Sequence, residues 1–152
     1  MHEFRKATPA DIPELSKIRA LFLKECTNIP AGGHDTMEAA NKQYFEKHLP
    51  CGDFVAWLAL DGEKIVATSG MCFYTVPPNT ECPNGKVAYI MNIFTLPQYR
   101  KQGLAAKLFA KTVEEAGERG YKKITLNATD EGRPMYEKFG FKDVKGDMVF
   151  YL

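Results

Sequence analysis

The feature that most constrains this chain is a strand that turns through a glycine into an amphipathic helix. Tyr89-Ile90-Met91-Asn92-Ile93-Phe94-Thr95 is an apolar, β-prone run, Pro97 follows, and Tyr99-Arg100-Lys101-Gln102-Gly103-Leu104-Ala105 carries the turn. Leu104, Ala105, Leu108, Phe109, Thr112, Val113 and Ala116 then recur at one-face helical spacing. Such a junction calls for a sheet with a helix packed on it. The first N–H groups of the helix have no partner within it, and the helix dipole adds positive charge there. With Arg100 and Lys101 beside them, these donors suit a phosphate or pyrophosphate.

The flanking segments read as further elements of one sheet. Phe4–Ala7 is a short strand, and Thr8-Pro9-Ala10-Asp11 is a helix start, with a capping threonine, proline at the first helical position and an acid three residues after the cap. Ile12, Leu15, Ile18 and Phe22 form that helix's apolar stripe. Asn28–Gly33 breaks the pattern, and a second helix is expected from near Asp35. Phe54–Leu60 and Ile65–Val76 read as strands joined at Asp61-Gly62, with Gly70 a bulge candidate. Asn84-Gly85 turns into the strand Val87–Thr95. Gly120 ends the long helix, Lys123–Asn127 is the next strand, and a short helix carries Pro134, Met135, Tyr136 and Phe139. Phe141–Val144 and Met148–Tyr151 make a last hairpin. The order β-α-α-β-β-β-α-β-α-β-β predicts an α/β fold, a mixed twisted sheet flanked by helices, over a single domain of residues 1–152.

A chain of 152 residues with 45% apolar and 26% charged residues has ample material for a core. Its formal net charge of +1 provides no bulk field for nucleic acid or an anionic membrane, so neither is expected as a partner. Cys26, Cys51, Cys72 and Cys82 show no C-x-x-C spacing, so reduced thiols and no metal are expected. The start, Met1-His2-Glu3-Phe4-Arg5-Lys6, lacks the apolar core of a signal peptide, and no run approaches the ~20 apolar residues of a membrane span. The expectation is a cytoplasmic protein; self-association into a homodimer is left open.

With these elements placed, the chain resembles the GCN5-related N-acetyltransferase superfamily. Its signature, [Arg/Gln]-x-x-Gly-x-[Gly/Ala] after a strand, reads here Arg100-Lys101-Gln102-Gly103-Leu104-Ala105. Pro97 lies two residues past Thr95, Asn127 ends the next strand, and Tyr136-Glu137-Lys138-Phe139-Gly140-Phe141 gives the family's Tyr-x-x-x-Gly-Phe ending. The resemblance implies that acetyl-CoA is the co-substrate, that Arg100, Lys101, Gln102, Gly103, Leu104 and Ala105 wrap its pyrophosphate, and that Ile93 and Thr95 pair with the pantetheine arm where two strands splay apart. Asn127 would meet the pantetheine amides; by residue type alone it is equally a turn-forming asparagine. Tyr136 would be the catalytic acid that protonates the departing thiolate, a role suited to a phenol of pKa ~10. Its spacing also suits a core tyrosine packed with Phe139 and Phe141.

One departure stands out. Many family members place a glutamate on the strand before the loop, and Tyr89–Thr95 contains no carboxylate. A water chain, Glu81, Glu25, Asp35 or His34 would have to take the amine proton, and Asn92 is a polar side chain positioned to orient water or substrate. Tyr44, Phe73, Tyr74 and the Pro77–Asn84 loop are candidates for the acceptor side. The expected activity is acetyl transfer from acetyl-CoA to a primary amine of a small molecule or peptide, by direct attack in a ternary complex. The missing carboxylate keeps open a second reading, a non-catalytic acyl-CoA-binding module on the same fold.

Overall fold

The computed structural model describes residues 1–27 and 32–152, with the His34 side chain also outside the described set. Strand β1 (Glu3–Lys6) leads through a 3-10 turn at Pro9–Asp11 into α1 (Ile12–Cys26), and α2 (Gly33–Cys51) follows. The predicted start is made by side chains: Asp11 Oδ2 accepts from the Thr8 N–H at 2.7 Å and from the Thr8 hydroxyl at 3.0 Å. Arg5 grips the same carboxylate with both guanidinium nitrogens, at 2.8 and 2.9 Å. That pairing holds the Asp11 carboxyl down at about 2.

Next come β2 (Phe54–Asp61), β3 (Lys64–Thr75), β4 (Lys86–Thr95), α3 (Leu104–Glu118), β5 (Lys123–Leu126) and α4 (Arg133–Phe139). The sheet runs β1-β2-β3-β4-β5, antiparallel from β1 to β4, with β5 parallel to β4. The tight turn after β2 sits one residue later than expected, at Gly62-Glu63, since Asp61 and Lys64 still pair. Gly85 is obligatory at its turn: its φ is +67°, and a Cβ there would lie 2.2 Å from the Val76 carbonyl oxygen.

Helices cover both faces. On one, Ile12, Leu15 and Ile18 of α1 and Phe45 of α2 pack on Phe54, Ala56, Leu58 and Leu60 of β2. On the other, Leu104, Leu108, Phe109 and Ala116 of α3, with Tyr136 of α4, meet Ala59, Val66, Met71, Ala88 and Ile90. The alternating residues of β2 divide between two cores, so both faces of this strand are apolar.

Two expectations change. The expected final hairpin is not formed: residues 141–152 contain no strand, and Val144 and Met148–Leu152 are exposed. Gly140 ends α4 at φ +101°, and Asp143 is tied back to Arg133 at 2.8 Å. The outer edge of β5 is open, but no residue of 141–152 pairs with it, and a two-stranded hairpin away from a sheet is marginal in water. The bulge also moves. Thr68 pairs Phe94 and Gly70 pairs Met91, so Ser69 faces two residues, Asn92 and Ile93, and the extra residue belongs to β4. Gly70 is there for space instead, because a Cβ would fall 2.9 Å from the Phe54 ring.

Candidate functional site

The bulge stands where β4 leaves its neighbour. β5 pairs with β4 only from Val87↔Lys123 to Ile90↔Leu126, so Met91–Thr95 run on with that edge unpaired. Asn92 takes φ +56°, a left-handed conformation that asparagine tolerates better than most residues. Its carbonyl accepts from the Thr68 hydroxyl at 2.8 Å, which pins the bulge. Its side-chain oxygen and nitrogen are buried without a hydrogen-bond partner among the described residues. Such atoms cost about 1–3 kcal/mol each unless water or a ligand reaches them. The parted edge opens onto a cleft of about 810 Å³, walled by Ile93 and Thr95, by the loop and first turn of α3, by Phe22, Glu25 and Cys26 at the end of α1, and by α4.

The loop is shaped for an anion. Lys101 (φ +63°) and Gly103 (φ +76°) are both left-handed, and left-handed residues in a turn gather successive N–H groups into a concavity. A Cβ at Gly103 would meet nothing within 4 Å, so the space over the loop is open. The first main-chain bond of α3 runs from the Lys107 N–H to the Gly103 carbonyl at 3.2 Å. The N–H groups of residues 101–106 therefore have no main-chain partner among the described residues. Behind them, Leu104 and Leu108 anchor the helix in the core. Arg100 is a strut: its Nε donates to the Thr95 carbonyl at 3.0 Å, and its Nη2 meets Glu25 at 2.7 Å. That leaves Lys101 as the exposed cation of the loop, with no ion pair among the described residues.

Tyr136 borders the same cleft as the loop. Its ring packs against Phe109 at 5.2 Å and Phe141 at 6.4 Å, and only 8% of the residue is exposed. Gly132, before α4, has φ −81° and is needed for space: a Cβ there would come within 2.9 Å of the Tyr136 hydroxyl and ring. The hydroxyl makes no hydrogen bond among the described residues, although its residue lines the cleft. Burial, and secondarily the Cys26 thiol that lines the same cleft, pushes the phenol above its ordinary value. It stays protonated throughout the neutral range.

The structure thus gathers Ile93, Thr95, Arg100, Lys101, Gly103, Leu104, Ala105 and Tyr136 around one cavity. Gln102 and Asn127 are not on its wall; Asn127 Nδ2 donates instead to the Tyr89 hydroxyl at 3.0 Å. Of the possible proton acceptors, Glu25 is on the wall but held by Arg100, and Glu81 is exposed and faces Lys123 at 3.6 Å. Asp35 is exposed on α2 and off the wall. Tyr44 packs with Phe45 and Phe54, Phe73 stacks on Tyr121 at 4.5 Å, and Tyr74 is exposed, so none of the three lines this cleft. Sequence reasoning missed Cys26, Thr129 and Glu131, which do. Nothing in their local pattern marks them; only the docking of α1 and α4 brings them in.

Comparison with known proteins identifies the family and the fold. The family model described as "Acetyltransferase (GNAT) family" matches residues 16–141. No curated protein matches the chain in sequence. Among solved structures, a predicted acetyltransferase from Clostridium acetobutylicum, solved with acetyl-CoA, superimposes with a TM-score of 0.90 at 31% identity, over 99% of this chain and 96% of that one. A GCN5-related N-acetyltransferase from Ralstonia eutropha JMP134 also gives 0.90, at 24% identity over 100% and 99% of the two chains. Glucosamine-6-phosphate N-acetyltransferase from Arabidopsis thaliana shares the fold, with a TM-score of 0.73 at 20% identity over 99% and 98%. With its parted β4 and β5, its open amide loop and a matching family model over most of its length, this chain belongs to the GNAT acetyltransferase family.

Proposed function

We propose that the protein transfers the acetyl group of acetyl-CoA to a primary amine of a small molecule or peptide, by direct attack in a ternary complex. The observation that carries this reading is the run of N–H groups at 101–106 without a main-chain partner among the described residues, bordering the same cleft as Tyr136. The Clostridium relative's acetyl-CoA supports the choice of donor. Acetyl-CoA supplies the acyl group already activated as a thioester. The amides of Gly103, Leu104 and Ala105, with Lys101 beside them, hold its diphosphate. The unpaired edge of β4 at Ile93 and Thr95 accepts the pantetheine arm as an added strand, and the Ile93 N–H faces the charge that develops on the carbonyl oxygen. Gln102 and Asn127 stay in the proposal as contacts made from the rim.

In the reaction a C–N bond forms as the C–S bond breaks. The sulfur takes the proton of Tyr136, and the amine's proton passes through water to a carboxylate. Glu131 is the carboxylate of the cleft wall without an ion pair among the described residues, so it receives that proton in this scheme. The test follows free thiol released from acetyl-CoA over amino acids, polyamines, peptides and aminoglycosides. Release with at least one amine, and mass gain of one acetyl on it, is expected. The lack of a carboxylate on β4 favours one other reading, a non-catalytic acyl-CoA-binding module. That module would give thermal stabilisation by acetyl-CoA, roughly 2.7 kcal/mol at 100 times Kd, with no thiol release on any acceptor.

The proposal includes a cytoplasmic setting, in keeping with four free cysteines. No helix among the described residues is long and apolar enough to cross a membrane. It also includes self-association as a homodimer through the exposed apolar run Met148–Leu152. Sedimentation of the full chain against a chain ending at Val144 checks this: only the full chain should run as a dimer.

A further inference from the structure

The end of α2 assembles a cluster that the acetyl-transfer cleft does not use. His48 and Cys51 share a face of its last turn, three residues apart, and Gly52 (φ +81°) reverses the chain so that Asp53 folds back over that turn. Asp53 Oδ2 lies 3.4 Å from His48 Nδ1 and 3.2 Å from Cys51 Sγ. All three ligand atoms fall within 4.8 Å of one another. Zn²⁺ bonds of roughly 2.3 Å to sulfur and 2.0–2.1 Å to nitrogen and oxygen, at tetrahedral angles, require S···O of about 3.5 Å and N···O of about 3.3 Å. The two Asp53 separations are within a few tenths of an ångström of those edges, and the His48 nitrogen and Cys51 sulfur lie within 4.8 Å of each other.

Hydrogen bonds tie the backbone around the cluster to β3 and α3. The Asp53 carbonyl accepts from the Phe73 N–H of β3 at 3.1 Å, and the Gly52 carbonyl accepts from Arg119 of α3 at 3.0 Å. The His48 ring packs against the Tyr44 ring, with centroids 4.4 Å apart and planes tilted by 33°. Cys51 and Asp53 are exposed, so an ion can enter from solvent.

We propose that His48, Cys51 and Asp53 form a binding site for a thiophilic divalent cation of the zinc type, with water in the fourth position. A thiolate, a carboxylate and a neutral imidazole carry two negative charges against the cation's two positive ones. Binding forms a metal–sulfur bond and releases the Cys51 proton to solvent. The donor set disfavours Mg²⁺ and Ca²⁺, which take oxygen ligands. H-x-x-C-x-D is not a C-x-x-C pattern, which is why cysteine spacing alone leaves it out. The site lies at the far end of the sheet from the cleft. Phe54, next to Asp53, pairs with Cys72, whereas Ile93 and Thr95 at the cleft lie opposite Ser69 and Ala67; three to five residues along β3 separate them, about 10–17 Å. The bound ion therefore clips α2 to β2 without touching the acetyl-CoA cleft.

The test is a Co²⁺ titration of the full chain, reduced with a non-chelating phosphine. One equivalent of Co²⁺ should give a saturable thiolate-to-metal absorption band that Zn²⁺ bleaches. Cys51→Ser should abolish the band, while Cys26→Ser and Cys72→Ser should keep it. His48→Gln and Asp53→Asn should each weaken binding roughly tenfold or more. One equivalent of Zn²⁺ should raise the melting temperature of the natural chain and leave that of Cys51→Ser unchanged. No band at tenfold excess Co²⁺, or a band that survives Cys51→Ser, overturns the proposal. Circular dichroism on each variant confirms that the fold is kept.

Discussion

Replacing Tyr136 with phenylalanine separates its two possible uses, packing and proton donation. The ring contributes to the core: it sits against Phe109 and Phe141, and the residue is 8% exposed. The hydroxyl makes no hydrogen bond among the described residues, so its removal leaves no orphaned protein partner. Phenylalanine keeps the ring, and the stability change should stay within about 0.5 kcal/mol, below the usual worth of one hydrogen bond. The reaction should respond very differently. A positioned acid is worth about 10²–10⁴ in rate, or roughly 2.7–5.4 kcal/mol of barrier. Since the proton is needed only as the C–S bond breaks, kcat should fall by that factor while KM for acetyl-CoA changes little. The assay is free thiol release under saturating donor, paired with urea unfolding of both proteins. Burial raises the phenol's pKa above its usual value of about 10, so the natural enzyme should lose no activity through this group between pH 7 and 9. A kcat within twofold of the natural enzyme would refute the assignment. A loss of more than ~1.5 kcal/mol in stability would show that the hydroxyl has a structural partner.

Gly103→Ala places a methyl in open space at φ +76°, so it should cost about 1–2 kcal/mol through backbone strain; isothermal titration should also show weaker acetyl-CoA binding, because the methyl occupies the space over the amides. Asp11→Asn should cost at most about 2.5 kcal/mol at pH 7, less whatever solvent screens at the partly exposed Arg5. Because the folded carboxyl titrates near 2 and the unfolded one near 3.8, the carboxylate's contribution is present above pH 3.8 and vanishes as pH falls through 2, so urea midpoints of the two proteins should converge there. Glu115→Gln should cost roughly 1–3 kcal/mol in the same assay, since this buried side chain joins Trp57 Nε1 at 2.9 Å, Lys6 at 3.2 Å and Arg119 at 2.8 Å. An unchanged midpoint would mean that water replaces those contacts.

Much of this molecule is written in short-range pattern. The Thr8–Asp11 start, the α1 stripe and the turn at Gly85 each follow from residue type and spacing within a few positions, and each is found. So is the strand–glycine–helix junction, because a left-handed residue before a helix must be glycine or pay strain whatever surrounds it. The bulge was legible only in part. A break near Gly70 is visible in sequence, but pairing register decides which strand holds the extra residue, and register is a property of two strands together.

What the sequence determined alone is the list of elements, their order through α4 and the character of the anion loop, since backbone conformation and helix ends are set locally. Tertiary structure decided everything that needs two distant segments in one place. It parted β4 from β5 after Ile90, set Glu25 and Cys26 of α1 on the cleft wall, locked Arg100 onto Glu25, and moved Asn127 to Tyr89. It also left residues 148–152 without a partner strand, though their composition favours one. The physical reason is the same throughout: local preference is worth tenths of a kcal/mol to about 1 kcal/mol per residue, while burial and pairing between remote segments are decided by which surfaces the whole chain brings into contact.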